Sequence, residues 1–317
     1  MTYTNMDNII HLLKTNRPNL SESSIKSYTS AFRSLSRKMG IDFNDEMNFV
    51  KHQKEIIDFL KDFKVHTRKT RLAGIVSILN SSEQTPSVVK AIKDYRKLML
   101  DDVAIINKKD TDQTMTEKQK DNYISWDEVI DVYKELQKEA TPLFSLKKLT
   151  PKQFYKLQDY VLLSSYVLIP PRRSQDFANL RIKGIDEKVD NYIYKKHKDN
   201  RIIFNSYKNS KRLGTQGITI PKPLWFIYRK WLKTRPNSDW FFSDEKGNHI
   251  TQQKITYFLN RIFGKNISTS MLRHIYLTHK FGNINLQELQ ETTHEMGNSE
   301  ISRSMAYIDK EMAEKEK

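Results

Sequence analysis

Residues 160–180 read YVLLSSYVLIPPRRSQDFANL. From Tyr160 to Ile169 the run is apolar on every side, so a helix formed there is predicted to be buried all round. It is far shorter than the roughly 20 residues that cross a bilayer. Pro170 and Pro171 end it, because a proline ring fixes φ and removes the N–H that the next helical turn needs. A second helix is predicted to start at once, carrying Arg172, Arg173 and, three positions later, Asp176. A carboxylate at that spacing can hold an arginine side chain in place.

Working upstream, Thr150-Pro151-Lys152-Gln153 has a capping threonine and a proline at the first helical position, and it opens the apolar helix. Ser125-Trp126-Asp127-Glu128 has the capping-box spacing and leads into Val129, Ile130 and Val132. Before it lies NKKDTDQTMTEKQKDNY, residues 107–123, too polar to feed a core and therefore read as a linker. The first 106 residues are helical in pattern: Ser21 caps a stripe of Ile25, Tyr28, Phe32, Leu35 and Met39. Ile56, Ile57, Leu60 and Phe63, then Leu72, Ile75, Val76 and Leu79, make two more. Short connections between such stripes predict a compact bundle.

Downstream of Arg181 the period shortens. Residues 191–195, 201–207 and 217–221 are rich in Ile, Tyr and Phe between polar turns, which predicts a small three-stranded antiparallel sheet before helical patterns return. The expected fold is mainly α with a small antiparallel β-sheet: a helical domain over 1–106, a linker over 107–123 and an α+β domain over 124–317.

The 317 residues hold 54 Lys and Arg against 38 Asp and Glu, a formal charge of +16. With a pI near 9.6 the chain is expected to meet a polyanion. The basic residues are spread through folded segments rather than gathered on one amphipathic helix, which favours nucleic acid over a membrane surface. Lys64, Arg68, Lys69 and Arg71 lie at the start of one helix of the first domain, where they are candidates to meet phosphates together with backbone N–H groups. The absence of cysteine excludes disulfides, thiolate zinc sites and a cysteine nucleophile. A mean hydropathy of −0.69 and an amino terminus without a basic-then-apolar leader predict an intracellular protein that is neither secreted nor membrane-bound.

No Gly-rich phosphate loop, nucleophile elbow, HExxH or two-metal carboxylate cluster is present, so neither a metal nor a cofactor is expected. His274 and His279 are five apart and do not share a helix face, Ser23 and Lys26 read as a helix cap, and His294 reads as a surface residue. Four segments of the second domain remain: PPRRSQDFANL with Arg173 and Asp176; NSYKNSKRLGTQGITIP with Lys208 and Lys211; STSMLRHIYLTHK with Arg273 and His274; and MGNSEISRSMAYI, ending at Tyr307 and Ile308.

In that order and spacing they resemble the boxes of the tyrosine recombinases, or phage-type integrases, and within them the divergent integrases of virophages and other large-DNA-virus elements. Arg173, Asp176, Phe177 and Leu180 match the first box, which makes Arg173 rather than Arg172 the catalytic candidate. The hairpin lysine would be Lys208, with Lys211 second. Arg273 and His274 match the next box, with Ser270 where a histidine or lysine usually stands. Met296, Gly297 and Tyr307 match the last, with Asn298 at the usual histidine. Ser270 and Asn298 donate hydrogen bonds but are neither acids nor bases near neutral pH, so slower chemistry is expected.

The resemblance implies a core-binding domain followed by a catalytic domain that clamp double-stranded DNA, monomeric or weakly associated when free and tetrameric at synapsis, the tail after Tyr307 packing on a neighbour. It also implies roles. Two guanidiniums, Arg173 and Arg273, would neutralise the reacting phosphate; Asp176 would orient Arg173; Lys208 would protonate the leaving 5′-oxygen; Tyr307 would form a covalent 3′-phosphotyrosine. The bond energy stored in that link makes ATP unnecessary. A type IB topoisomerase uses the same residues on one duplex, and a DNA-binding factor without catalysis is the reading from another class.

Overall fold

The computed structural model describes residues 5–111, 115–196, 199–281, 286–297 and 308. The chain divides into two compact units, Met1–Asp112 and Gln113–Lys317. The described part is predominantly helical with one small mixed sheet. No described helix is long and apolar enough to cross a membrane.

The first unit is built from α1 (Asp7–Asn16), α2 (Glu22–Met39), α3 (Asn48–Lys51), α4 (Gln53–Lys61), α5 (Val65–Leu79) and α6 (Pro86–Thr111). Helix α2 starts where Ser21 Oγ accepts the Ser24 N–H and stops at Gly40, whose φ of 69° a side chain would resist. The expected stripe is inside: Ile25, Phe32 and Leu35 are buried, Tyr28 and Met39 half-buried. Phe49 joins the core, its ring 4.7 Å from Phe43 and 4.9 Å from Phe32. Tyr95 on α6 donates its hydroxyl to the Phe49 carbonyl at 2.8 Å, so the aromatic centre also carries a satisfied polar tie.

The stretch expected to be a linker is largely helical. Helix α6 runs on to Thr111, and α7 (Glu117–Asn122) opens with a full capping box between Thr116 and Gln119. Local capping and charged side chains in water make a helix there without an apolar stripe. Met115 is the one long apolar side chain of the stretch, and it is buried.

The second unit continues with α8 (Trp126–Ala140), a 3₁₀ turn (Thr141–Ser145), α9 (Pro151–Val167), α10 (Ser174–Ala178), β1 (Leu180–Arg181), β2 (Asn191–Lys196), β3 (Asp199–Phe204), α11 (Ser210–Leu213), β4 (Gln216–Thr219), α12 (Lys222–Thr234), α13 (Gln252–Phe263), α14 (Thr269–Phe281) and α15 (Leu286–Glu295). The capping boxes at Ser125 and Thr150 form as read from the sequence. Helix α9 is the core helix, buried continuously from Leu157 to Tyr166. Around it lie Phe177, Tyr228, Trp231, Phe241 and Phe242.

The sheet differs from expectation. It has four strands in the order β1-β2-β3-β4, with β1 parallel to β2 and the other pairs antiparallel. Two residues, Leu180 and Arg181, are too few to show a period of two, so sequence alone hides β1. Its effect is to fix α10, which precedes it by one residue, against the sheet.

Candidate active site

Pro170 and Pro171 turn the chain out of α9, and Arg173 becomes the N-cap of α10 with an extended backbone. Arg172 is left pointing inward, and it is fully buried. Its guanidinium lies 3.9 Å from the Phe204 ring centroid and 5.1 Å from that of Tyr207. Its Nε donates to Asp176 Oδ2 at 2.9 Å, and its Nη1 donates to Gln216 Oε1 at 2.9 Å and to the Glu295 carbonyl at 2.5 Å. The carboxylate expected to orient Arg173 is therefore bonded to Arg172. An arginine preceding the helix reaches a carboxylate inside its first turn, whereas Arg173, at the cap itself, sends Nη1 to the Gly297 carbonyl at 3.1 Å.

Asp176 is buried too. Burial pushes its carboxyl above the usual carboxylate range, while the charge of Arg172, and after it those of Arg173 and Arg273, pulls the other way. Burial likewise draws the Arg172 guanidinium below its ordinary value, against Asp176. Asp176 thus sits in the field of three guanidiniums from two distant parts of the sequence. Arg273 comes from α14, whose Met271, Leu272, Ile275, Leu277, Thr278 and Phe281 are also buried, and it is itself 1% exposed. Its charge also acts on the buried Tyr166 hydroxyl, which burial, reinforced by Asp176, drives far above the ordinary phenol range. His274, on the same helix, is half-buried and Ser270 is exposed.

The connection from β3 to β4 is longer than a hairpin turn and holds α11. Lys208 is exposed just before this helix and Lys211 is exposed on it. Two ties place the connection. The Asn191 side chain accepts the N–H groups of Asn205 and Ser206 and donates to the carbonyls of Asp176 and Ser206. The Tyr207 hydroxyl donates to the Gly214 carbonyl at 2.8 Å. Asn209, next to Lys208, donates Nδ2 to the Gly297 carbonyl at 2.7 Å, the same acceptor that Arg173 uses.

Gly297 therefore joins three of the four sequence segments. It follows α15 with φ 68°, and a Cβ there would stand 2.9 Å from Arg172 Nη2 and 3.3 Å from a Tyr207 ring carbon. Only glycine allows both the turn and the close approach. Asn298 and Tyr307 lie outside the described residues. Ile308 is described: it is buried in a cluster with Leu277, Phe281, Leu289 and Met296, with Tyr276 against it. Leu277 stands one helical turn beyond Arg273, so the residue after Tyr307 in sequence packs against the helix that carries Arg273.

In the first unit the basic run divides. Arg68 closes a bidentate pair on Asp102 of α6, a carboxylate 1% exposed, and is raised above its ordinary value by that bond. Arg71 lies 3.7 Å from the Phe63 ring centroid. Lys64 is exposed and Lys69 half-exposed.

Arg172, Gln216, Asn209 and Asn191 are residues that sequence reading passed over. Gln216 did carry a signal: it occupies the inward phase of QGITI, where Ile218 and Ile220 are also buried, and a polar side chain in that phase marks a buried network.

No protein-family model matches the sequence, and a search of curated proteins returns no match. Among solved structures the chain is similar to the XerH site-specific recombinase bound to its difH substrate in a pre-cleavage complex. Identity is 16% and the TM-score is 0.48, over 98% of this chain and 94% of that one.

Proposed function

We propose that this chain is a site-specific DNA recombinase that cuts and rejoins duplex DNA through a 3′-phosphotyrosine on Tyr307. The observation that carries the proposal is the bond of buried Arg172 to buried Asp176, with Arg173 and the lysine-bearing connection both tied to the Gly297 carbonyl and the charge of Arg273 acting on the same carboxylate.

The chemistry follows from the donor set. Arg173 and Arg273 neutralise the non-bridging oxygens of the scissile phosphate, each with a planar fork that stays charged at any relevant pH. The Tyr307 hydroxyl gives its proton to solvent water as its oxygen attacks phosphorus, the bond to the 5′-oxygen breaks, and Lys208 gives that oxygen its proton. In the reverse step the attacking 5′-hydroxyl returns a proton to Lys208 and the departing Tyr307 oxygen takes one from water, so a phosphodiester is regained without ATP. Arg172 serves differently: buried and bonded to Asp176, Gln216 and Glu295, it holds the frame in which Arg173 stands. The proposed biological setting, a viral or mobile DNA element with a tetramer at synapsis, rests on the motif pattern alone.

The test is to mix the protein with supercoiled plasmid in EDTA at low salt, quench with detergent and separate protein-linked DNA. Relaxed plasmid and protein–DNA adducts are expected. Folded, DNA-binding protein that gives neither on plasmids carrying its cognate site overturns the proposal.

Binding is expected to weaken log-linearly with salt, because Lys and Arg release counterions from phosphates. Lys64→Ala and Lys69→Ala should each reduce the magnitude of that slope by about 1. Arg68→Ala should leave the slope unchanged and instead lower the stability of the first unit by about 1–3 kcal/mol, since it strips a buried carboxylate of its partner. Slopes from fluorescence anisotropy and unfolding curves in denaturant check both. An Arg68→Ala slope that drops like those of the lysines would put Arg68 on the phosphates rather than in the frame.

A further inference from the structure

At the end of α15 the Gly297 N–H donates to the His294 carbonyl at 2.9 Å, and side chains from two other segments add bonds to the carbonyls there. Gln216 Nε2 donates to the His294 carbonyl at 2.7 Å, Arg172 Nη1 to Glu295, and Arg173 and Asn209 to Gly297. Among these donors Gln216 has a second function, because its Oε1 accepts from Arg172 Nη1 at 2.9 Å. Chemistry fixes the orientation of its amide. A guanidinium only donates and a main-chain carbonyl only accepts, so oxygen must face Arg172 and nitrogen must face His294. The residue is 3% exposed, on a strand whose other inward positions are apolar.

We propose that Gln216 is a positioning residue: it ties the arginine cluster to the C-terminus of α15, so that the segment leading in sequence to Tyr307 departs from a fixed point beside Arg172 and Arg173. Its catalytic consequence rests on the recombinase reading, whereas the tie itself does not. A tether at Gln216 acts on the end of α15 rather than on the phosphate, and its loss therefore leaves the guanidiniums present but the attacking segment loosely registered. Misplacement of reacting groups by about 1 Å costs on the order of a hundredfold in rate.

Three variants separate the possibilities. Gln216→Leu removes both bonds. Gln216→Glu keeps an acceptor for Arg172 but sets a carboxylate oxygen against the His294 carbonyl. Gly297→Ala retains every donor and forces a Cβ to within 2.9 Å of Arg172 Nη2. Hydrogen exchange in the free protein reads the tie directly. All three variants are expected to speed exchange of the amides in 286–297, at least about tenfold for loss of one well-made bond, with α8, α9 and α12 as protected as in the parent. On bound DNA carrying a cognate site, the single-turnover rate of adduct formation should fall about a hundredfold while the Kd for DNA stays unchanged.

Parent-like exchange over 286–297 in all three variants overturns the proposal. A Gln216→Glu protein that behaves as the parent while Gln216→Leu does not also overturns it, because Gln216 would then serve Arg172 alone. If the parent itself forms no adduct, the recombinase reading falls, and exchange alone decides the tie.

Discussion

Tyr307→Phe is expected to bind DNA with the affinity of the parent and to form no protein–DNA adduct, a loss of at least about 10⁴-fold in strand cleavage. The substitution removes one oxygen and keeps the ring, so packing next to it has no reason to change. The next residue, Ile308, is buried in the cluster formed by Leu277, Phe281, Leu289 and Met296. On the recombinase reading, DNA affinity is expected to follow the charge excess of +16, which the change does not touch. No neighbour can take over as nucleophile without the same register: the serines at 299, 302 and 304 are less acidic alcohols that need a general base, and Asn298 supplies none. The measurement is the plasmid assay with detergent quench, run beside anisotropy on the same DNA. Adducts that persist in Tyr307→Phe would move the nucleophile elsewhere in the chain, while loss of both adduct and binding would mean that the hydroxyl has a structural role.

The parts of this molecule that sequence disclosed are those governed by local rules. Ser21, Ser125 and Thr150 cap helices where their spacing said they would, and the apolar run ending at Pro170 is the central helix of its unit. Local rules also account for helix that periodicity does not announce. Thr116 and Gln119 form a capping box within a stretch that lacks an apolar stripe, and reading for periodicity alone treats such a stretch as linker. Strand β1 exists because α10 delivers Leu180 beside Asn191, a long-range pairing that two residues do not announce. In the Arg172-Arg173 pair, spacing selects Arg173, but which guanidinium is buried depends on Phe204, Tyr207 and Gln216, all brought in by the sheet. Asp176 was read as the carboxylate that orients Arg173, and the structure bonds it to Arg172 instead: a sequence offers the spacing of a carboxylate and an arginine but not the direction in which the chain enters the helix.

Asp176→Ala should be the most damaging single change to the fold of the second unit, costing about 3–5 kcal/mol in its unfolding free energy. The carboxylate and its partner Arg172 are both fully buried, and the charges of Arg173 and Arg273 bear on the same carboxylate. Removing it leaves like charges facing one another with their anion gone, and the Arg172 guanidinium cannot escape by losing its proton. Among the described residues Arg172 Nη2 already finds no hydrogen-bond partner, so no spare acceptor stands ready. The double variant Arg172→Met/Asp176→Leu should recover most of that stability, since a buried ion pair exchanged for packed apolar groups is close to neutral. It should not recover adduct formation, because Gln216 and the Glu295 carbonyl lose the guanidinium that joins them. Denaturant unfolding of the full chain, followed through tryptophan fluorescence, which comes from the second unit alone because Trp126, Trp225, Trp231 and Trp240 all lie there, gives the stability arm, and the plasmid assay gives the other. A double variant as unstable as Asp176→Ala would assign the cost to packing at position 176 rather than to the unpaired charge. One that regains both stability and cleavage would make Arg172 dispensable, and Arg173 would then reach its place without the frame that Arg172 holds.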